Sequence, residues 1–410
     1  MRETRQSELH QEPMFQQLVR AQVLSRRSML RGVGGVGVAA ALAACGTGSD
    51  TTGTAAKPSP HVKDKSATDK VVRWANWPFY LDYDEKTKKY PTLEKFQQQT
   101  GIKATYSEDI DDNDSYYGKV QGQLKNGDDI GADIMVLTDW MAGRVIRQGY
   151  VQELDKAKIP NAKNLNPKLA NVDFDPGRKF SLTWQSGYAG IGYRKDKVGR
   201  ELKTIDDLWA PDLKGKIVVL SEMRDTVGLI LMSQGVDISG KFTEDQFNKA
   251  LDVLQKQVDS GQIRQVKGNS YVDDLESGNA VAAIAWSGDI LAAGFEKSDP
   301  NYTFVLPETG GTLWSDNLMI PIGSPHKANA EALINFYYDP TVAAQVEAYV
   351  NYICPVEGAK EQMPKFDKSL VDSPLIFPSA ADLAKVKSFR TLSPDEETTF
   401  NEAFQKVIGN

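Results

Sequence analysis

The alternation of strand-like and helix-like segments early in the folded part constrains this chain more than any other feature. Residues 71–80 (VVRWANWPFY) read as a short strand interrupted by Pro78. Residues 90–96 begin a helix with Pro91 in its first turn, and Gly101 marks its end. Residues 102–106 alternate as a strand, and 133–137 (DIMVL) form a continuous run typical of a buried strand. Such a β-α-β-α-β order needs crossover connections, which give a mostly parallel sheet covered by helices. At 410 residues the chain exceeds what one hydrophobic core usually holds, so two domains are expected.

Charge narrows the partners. The formal net charge is −7, and residues 1–44 hold six arginines against three glutamates, so the remainder is more acidic still. That balance argues against a nucleic-acid partner and is compatible with cationic ligands. Histidine occurs only at positions 10, 61 and 326, and cysteine only at 45 and 354, with no metal-ligand spacing among them. No metal or cofactor is therefore expected. His326, in Ser324-Pro325-His326-Lys327, reads as part of a surface loop, and Asp111, Asp112 and Asp114 read as a solvated acidic loop, the alternative being a calcium site that lacks the full ligand spacing.

The N-terminus carries an address. Residues 25–31 (SRRSMLR) form a twin-arginine sequence, followed at 33–44 by a glycine- and alanine-rich apolar run too short for an ordinary membrane span. Leu42-Ala43-Ala44-Cys45-Gly46 resembles the lipobox of bacterial lipoproteins, which implies a signal peptide over 1–44 and lipidation of Cys45. The segment before Ser25 is long for a signal, so translation could begin at Met14. Residues 45–68, rich in Ser, Thr, Gly, Pro and Lys, read as a flexible tether. The expected location is the outer face of the cytoplasmic membrane, reached by twin-arginine export and held by lipid.

Residues 308–316 (ETGGTLWSD) place two glycines at a turn, then Trp314 and Asp316 at i and i+2 of an extended segment. A ring and a carboxylate then share one side, a pairing that suits an organic cation. Similar mixtures recur at Trp77 and Tyr80, and at Trp286 and Asp289. Plainer readings stay open: Trp286 as core, Glu222 and Asp225 as acids favoured at a helix start, and Asp289 as an N-cap.

Asn76-Trp77 after the first strand, an aromatic three residues on, Thr100-Gly101-Ile102-Lys103 and Asp133-Ile134-Met135-Val136 resemble the polyamine-binding proteins of ABC importers, of the spermidine/putrescine type. The resemblance continues through 188–193 (YAGIGY), 205–209 (IDDLW), 213–217 (LKGKI) and 284–289 (IAWSGD), and spans essentially 70–410. It implies an α/β, two-lobed periplasmic-binding-protein-like fold of type II, each lobe a mostly parallel sheet flanked by helices, with ligand in the cleft. The lobes would be 69–186 with 315–360 and 187–314 with 361–410, joined through crossing segments at 180–184 and 314–321. The resemblance further implies a non-enzymatic monomer that captures putrescine or spermidine and delivers it to an ABC permease and its ATPase.

Carried over by position, the ligand contacts would be Trp77, Tyr80, Thr138, Trp140, Glu222, Asp225, Trp286, Asp289, Trp314, Asp316 and Tyr352. Three departures stand out. Asp139 adds an acid between Thr138 and Trp140, Asn351-Tyr352-Ile353-Cys354-Pro355 replaces the family's Gly-Tyr-Pro-Thr-Pro, and Arg390 aligns where the family has a glutamine. A cleft arginine would favour an amine that also bears a carboxylate, such as an opine or aminophosphonate. An exported hydrolase, which lacks an evident nucleophile, and an adhesion or scaffold lipoprotein are the alternatives of other classes.

Overall fold

The computed structural model describes residues 62–110, 112–268, 270–296 and 299–409. The twin-arginine segment, Cys45, most of the expected tether and Asp111 lie outside these residues.

One mixed sheet runs through the described chain. Its strands are β1 (Val71–Ala75), β2 (Lys103–Ser107), β3 (Ile134–Thr138), β4 (Ser181–Arg194), β5 (Ile217–Leu220), β6 (Ile263–Lys267), β7 (Ala282–Trp286), β8 (Tyr302–Val305), β9 (Gly311–Met319) and β10 (Val386–Lys387). The order is β2-β1-β3-β9-β4-β7-β5-β6, with β8 on β4 and β10 on β9. Both ends of the sheet are parallel, as the early strand-helix alternation requires: β1 pairs with β2 and β3, and β5 with β6 and β7. The middle, β3-β9-β4-β7, is antiparallel. The first crossover helix, Pro91–Thr100, opens on its proline and stops at Gly101, whose φ of 69° ends the helix in the left-handed region.

Two large cores flank the middle strands, with a small third cluster of Tyr188, Ile353 and Val386. The first gathers apolar residues from Val72 to Trp184 and again from Leu318 to Ile376, around a cluster of Trp74, Trp184 and Tyr337 with ring centroids 4.9–5.2 Å apart. The second gathers Ala189 to Ile290 and then Leu392, Phe400 and Phe404, with Phe400 stacked on Phe247 at 3.9 Å. The chain thus passes between cores three times: along β4, back along β9, and through the segment that contains β10. Register shifts between Thr183 and Gln185 of β4, a bulge that sits where the strand leaves the first core. Met363, Leu370 and Ile376 pack in the first core, although the sequence reading assigns 361–410 to the second lobe.

Two local expectations change. His326 is buried rather than on a surface loop: Nδ1 lies 3.1 Å from Asp133 and Nε2 lies 3.1 Å from Asp69. The end of the expected tether is docked, with Ser66 buried, Lys65 N donating to the Pro325 carbonyl at 2.7 Å, and Asn329 N donating to Ser66 Oγ at 3.2 Å. Both are polar anchorages, which leave no trace in hydropathy. Within the acidic run, Asp112 caps the helix Asn113–Asn126 through Ser115 N at 2.8 Å, and Asp114 pairs with Arg144 at 3.1 Å. Among the described residues no helix is long and apolar enough to cross a membrane.

Asp133 ties β1 to the loop that carries His326, accepting from Arg73 Nε at 2.9 Å, Arg73 Nη2 at 2.8 Å and Ser324 Oγ at 2.8 Å. Burial opposes its ionisation, but these bonds outweigh burial and hold the carboxyl below its ordinary value. Asp133→Asn should therefore lower stability at neutral pH by about 1–3 kcal/mol in denaturant melts. A depressed folded pKa makes that contribution vanish as pH falls through it, so the difference from wild type should close in acid. An unchanged midpoint at neutral pH would refute the assignment.

Candidate functional site

β9 carries several of the expected ligand contacts from one core to the other. Thr312, Trp314 and Asp316 alternate along it, so the pleat directs them to one side. Sheet register supplies their neighbours: Thr138 of β3 lies opposite Asp316, Gly187 of β4 opposite Trp314, and Ala189 of β4 opposite both Thr312 and Trp286. Small residues on β4 make room for the rings. A Cβ at position 187 would come within 2.4 Å of the Trp314 ring, so only glycine fits there without displacing it.

Asp316 is 3% exposed. Its carboxylate accepts from Tyr80 Oη at 2.7 Å and from Thr138 Oγ1 at 2.7 Å. Asn113 Nδ2 donates to the same Thr138 hydroxyl at 2.9 Å, which leaves that hydroxyl's proton for Asp316. Among the described residues no lysine or arginine pairs with Asp316. Burial pushes its carboxyl up to about 7, against the two neutral hydrogen bonds, which are too weak to restore the ordinary value. Asp139 is pushed up to about 6 by burial, opposed by the charge of Arg178 and by bonds from Asn317 Nδ2 at 2.8 Å and Ser315 N at 3.2 Å.

A second acid bridges two strands. Asp225, in the first turn of the helix Met223–Ser233, accepts from Trp286 Nε1 at 2.8 Å and from Thr312 Oγ1 at 2.5 Å, spanning β4 between them. Burial, and then the charge of Glu222, push it up to about 6. Asp289 accepts from Tyr352 Oη at 3.0 Å and from Tyr271 Oη at 3.0 Å. The Tyr352 ring meets Trp314 at 5.1 Å and Tyr80 at 5.9 Å, both edge-on, and lies against Gly288, where a Cβ would come within 2.4 Å. Tyr80, Thr138, Asp225, Trp286, Asp289, Trp314, Asp316 and Tyr352 are thus linked through shared hydrogen bonds, ring contacts and strand register.

Three expected residues are engaged otherwise. Trp77 packs on the first core, and its indole donates to the Val136 carbonyl at 3.0 Å. Glu222 caps its helix through Arg224 N at 3.2 Å, the plainer of its two sequence readings. Trp140 lies beneath the Arg224 guanidinium at 4.3 Å from the ring centroid. Arg390 is held by Glu396 at 2.6 and 3.0 Å and stacks over Phe242 at 4.4 Å, so its charge is already matched. Sequence reasoning passed over Thr312, Tyr271 and Arg224. Thr312 was readable, because it stands two and four residues before Trp314 and Asp316 on one strand. Tyr271 and Arg224 give no such signal, since their partners come from other elements.

For Asp316, Asp225 and Asp139 the folded pKa exceeds the unfolded one, so the folded state retains protons that the unfolded state releases. Their contribution is present at acid pH and is lost as pH rises toward about 6–7. Asp316→Asn should accordingly gain thermal stability relative to wild type between about pH 5 and pH 7.5 in the unliganded protein. Parallel profiles for the two proteins would show that Asp316 is not the buried, cation-free acid described.

The sequence family described as bacterial extracellular solute-binding protein matches residues 92–374. The spermidine/putrescine-binding periplasmic protein of Escherichia coli K12 is 28% identical over 319 residues, covering 77% of this chain and 83% of its own. The putrescine-binding periplasmic protein PotF of the same organism is 27% identical over 359 residues, covering 83% and 92%. The crystal structure of PotD, the spermidine/putrescine ABC transporter substrate-binding protein of Streptococcus pneumoniae, superposes with a TM-score of 0.70 at 25% identity, covering 83% of this chain and 98% of its own. The two-cored α/β architecture is that of periplasmic binding proteins, and the chain belongs to the bacterial extracellular solute-binding protein family.

Proposed function

We propose that this protein captures a linear polyamine, putrescine or spermidine, in the cleft and delivers it to an ABC permease and its ATPase without altering it chemically. The observation that carries this reading is Asp316: a buried carboxylate bonded only to neutral hydroxyls, beside the rings of Tyr80, Tyr352 and Trp314. An ammonium group supplies the missing counter-charge, while the methylene chain lies on the rings. A desolvated cation–π contact contributes about 0.5–2 kcal/mol and a charged hydrogen bond about 1.5–3. A few of each reach the roughly 8 kcal/mol of micromolar affinity once the entropy of association is subtracted. The names of the relatives point to the same ligands.

In this reading the two cores are the moving lobes and β4 with β9 is their hinge. Closure brings Tyr80 and Thr138 of one lobe onto the ligand with Asp225 and Trp286 of the other. The protein works as a monomer at the outer face of the cytoplasmic membrane, exported by the twin-arginine route and anchored through lipid on Cys45. A second reading has one supporting observation: Trp140 Nε1 and Arg224 Nε are buried donors without an acceptor among the described residues. A carboxylate-bearing amine would satisfy them.

Calorimetry on the full-length protein tests the first reading. Putrescine or spermidine should bind, and at one hundred times the dissociation constant should add about 2.7 kcal/mol of stability. Asp316→Asn should weaken that binding by at least about tenfold while leaving the unliganded fold intact. Unchanged affinity in the variant would remove Asp316 from the site and with it the argument for a cationic ligand.

A further inference from the structure

Asp139, the acid that separates Thr138 from Trp140 in the sequence, has both carboxylate oxygens engaged on β9. Oδ2 accepts from the backbone N–H of Ser315 at 3.2 Å, and Oδ1 accepts from Asn317 Nδ2 at 2.8 Å. Ser315 and Asn317 are the residues on either side of Asp316. Thr138, one position before Asp139, donates its hydroxyl to Asp316 itself at 2.7 Å and lies opposite it in the pairing of β3 with β9. Two consecutive residues at the end of β3 therefore hold three consecutive residues of β9. A buried cation stands behind this grip. Arg178 is 3% exposed and takes a φ of 51°, a left-handed value uncommon outside glycine. Its guanidinium donates to neutral oxygens: the Leu169 carbonyl from Nε at 3.2 Å and again from Nη2, Ser181 Oγ at 3.2 Å, Thr183 Oγ1 at 2.9 Å, and Asn317 Oδ1 at 2.7 Å.

The Asn317 amide thus joins a buried cation to a buried acid, its oxygen on Arg178 and its nitrogen on Asp139. A charge at each end makes both bonds stronger than those between neutral groups. Burial pushes the Asp139 carboxyl up and the Arg178 guanidinium down, and the charge of each opposes the shift of the other. We propose that Asp139 is a positioning residue for Asp316: by clamping Ser315 and Asn317 it sets the Asp316 carboxylate against Thr138 and Tyr80, in the geometry that receives a ligand ammonium. Asp139 acts through Asp316 and not by a contact of its own with the ligand. Such support matters because a binding group works best when fixed neighbours hold it within about half an ångström of its productive position. The extra acid in the sequence is then part of the recognition apparatus without being one of its ligand contacts. This inference rests on the polyamine reading above.

Calorimetric titration with putrescine and with spermidine tests it, on full-length wild type, Asp139→Asn, Asp316→Asn and the double variant. Asparagine at 139 keeps one acceptor oxygen for two donors and removes the charge, so Asp139→Asn should weaken binding by about five- to tenfold. In the Asp316→Asn background the same change should weaken it by less than about twofold, because a residue that acts through Asp316 then has nothing to position. An equal loss in both backgrounds overturns the proposal and leaves the polyamine reading standing. Unchanged affinity in a folded Asp139→Asn protein does the same. Asn317→Ala, which strips one donor from Asp139 and leaves its carboxylate, gives a second cycle with the same expected pattern, and it decides the outcome if Asp139→Asn does not fold. Loss of the fold in both variants would make the grip a purely structural one, and overturns the proposal as well. If wild type binds neither polyamine, the broader reading has failed, and this one falls with it.

Discussion

The antiparallel ladder between β4 and β9 is the one piece of backbone that belongs to both cores. Ser181–Thr183 pair with Asn317–Met319 at the first core, and Gly187–Ala189 pair with Thr312–Trp314 at the second. Placement of the cleft residues follows from that pairing. The pleat turns Thr312, Trp314 and Asp316 one way, the neighbour β3 brings Thr138 to Asp316, and the neighbour β7 brings Trp286 level with Thr312. Since a slip of one residue would reverse every side chain on β9, the ladder's register and the cleft's chemistry are the same fact. The apolar cores on either side fix that register, and Gly187 of β4 keeps the space above it open for the Trp314 ring.

Electrostatically the cleft is built against its own comfort. Asp316, Asp139 and Asp225 are buried acids whose carboxyls are pushed above the ordinary range, because burial outweighs the hydrogen bonds around them and, at Asp139, the charge of Arg178. A fold selected for stability alone would place apolar residues at such positions. Departures of this kind collect where a protein meets a ligand. At the far side of the first core, Asp133 shows the contrast: it is equally buried, but Arg73 and Ser324 hold it ionised. The same residue type is held ionised at Asp133 and pushed toward its protonated form at Asp316, and the difference between those two lies in whether a cation is built in.

What could be read from the sequence was what depends on neighbours in the chain. The parallel β1, β2 and β3 followed from strand and helix periodicity, and the shared side of Trp314 and Asp316 followed from strand alternation. What could not be read depends on elements that meet only in three dimensions. Tyr271 reaches Asp289 from a separate helix, and Arg224 reaches Trp140 across the two lobes. Met363, Leu370 and Ile376 come from short turns without helical or strand period, so nothing local assigns them to the first core. His326 looked exposed because Ser, Pro and Lys surround it, whereas its burial is secured by two aspartates, one of them in another strand's approach.

Three passages between cores is an odd number, and this has a mechanical result. The chain enters through the first core, where Ser66 is docked against Asn329, and leaves through the second, where Phe400 and Phe404 pack. Any load applied at Ser66 is therefore borne first by the first core. The second core connects to it through the crossing segments and through side-chain pairs such as Glu397 with Arg144 and Arg147. A pull at Ser66 thus reaches the first core directly and the second core only by way of those segments and those ion pairs.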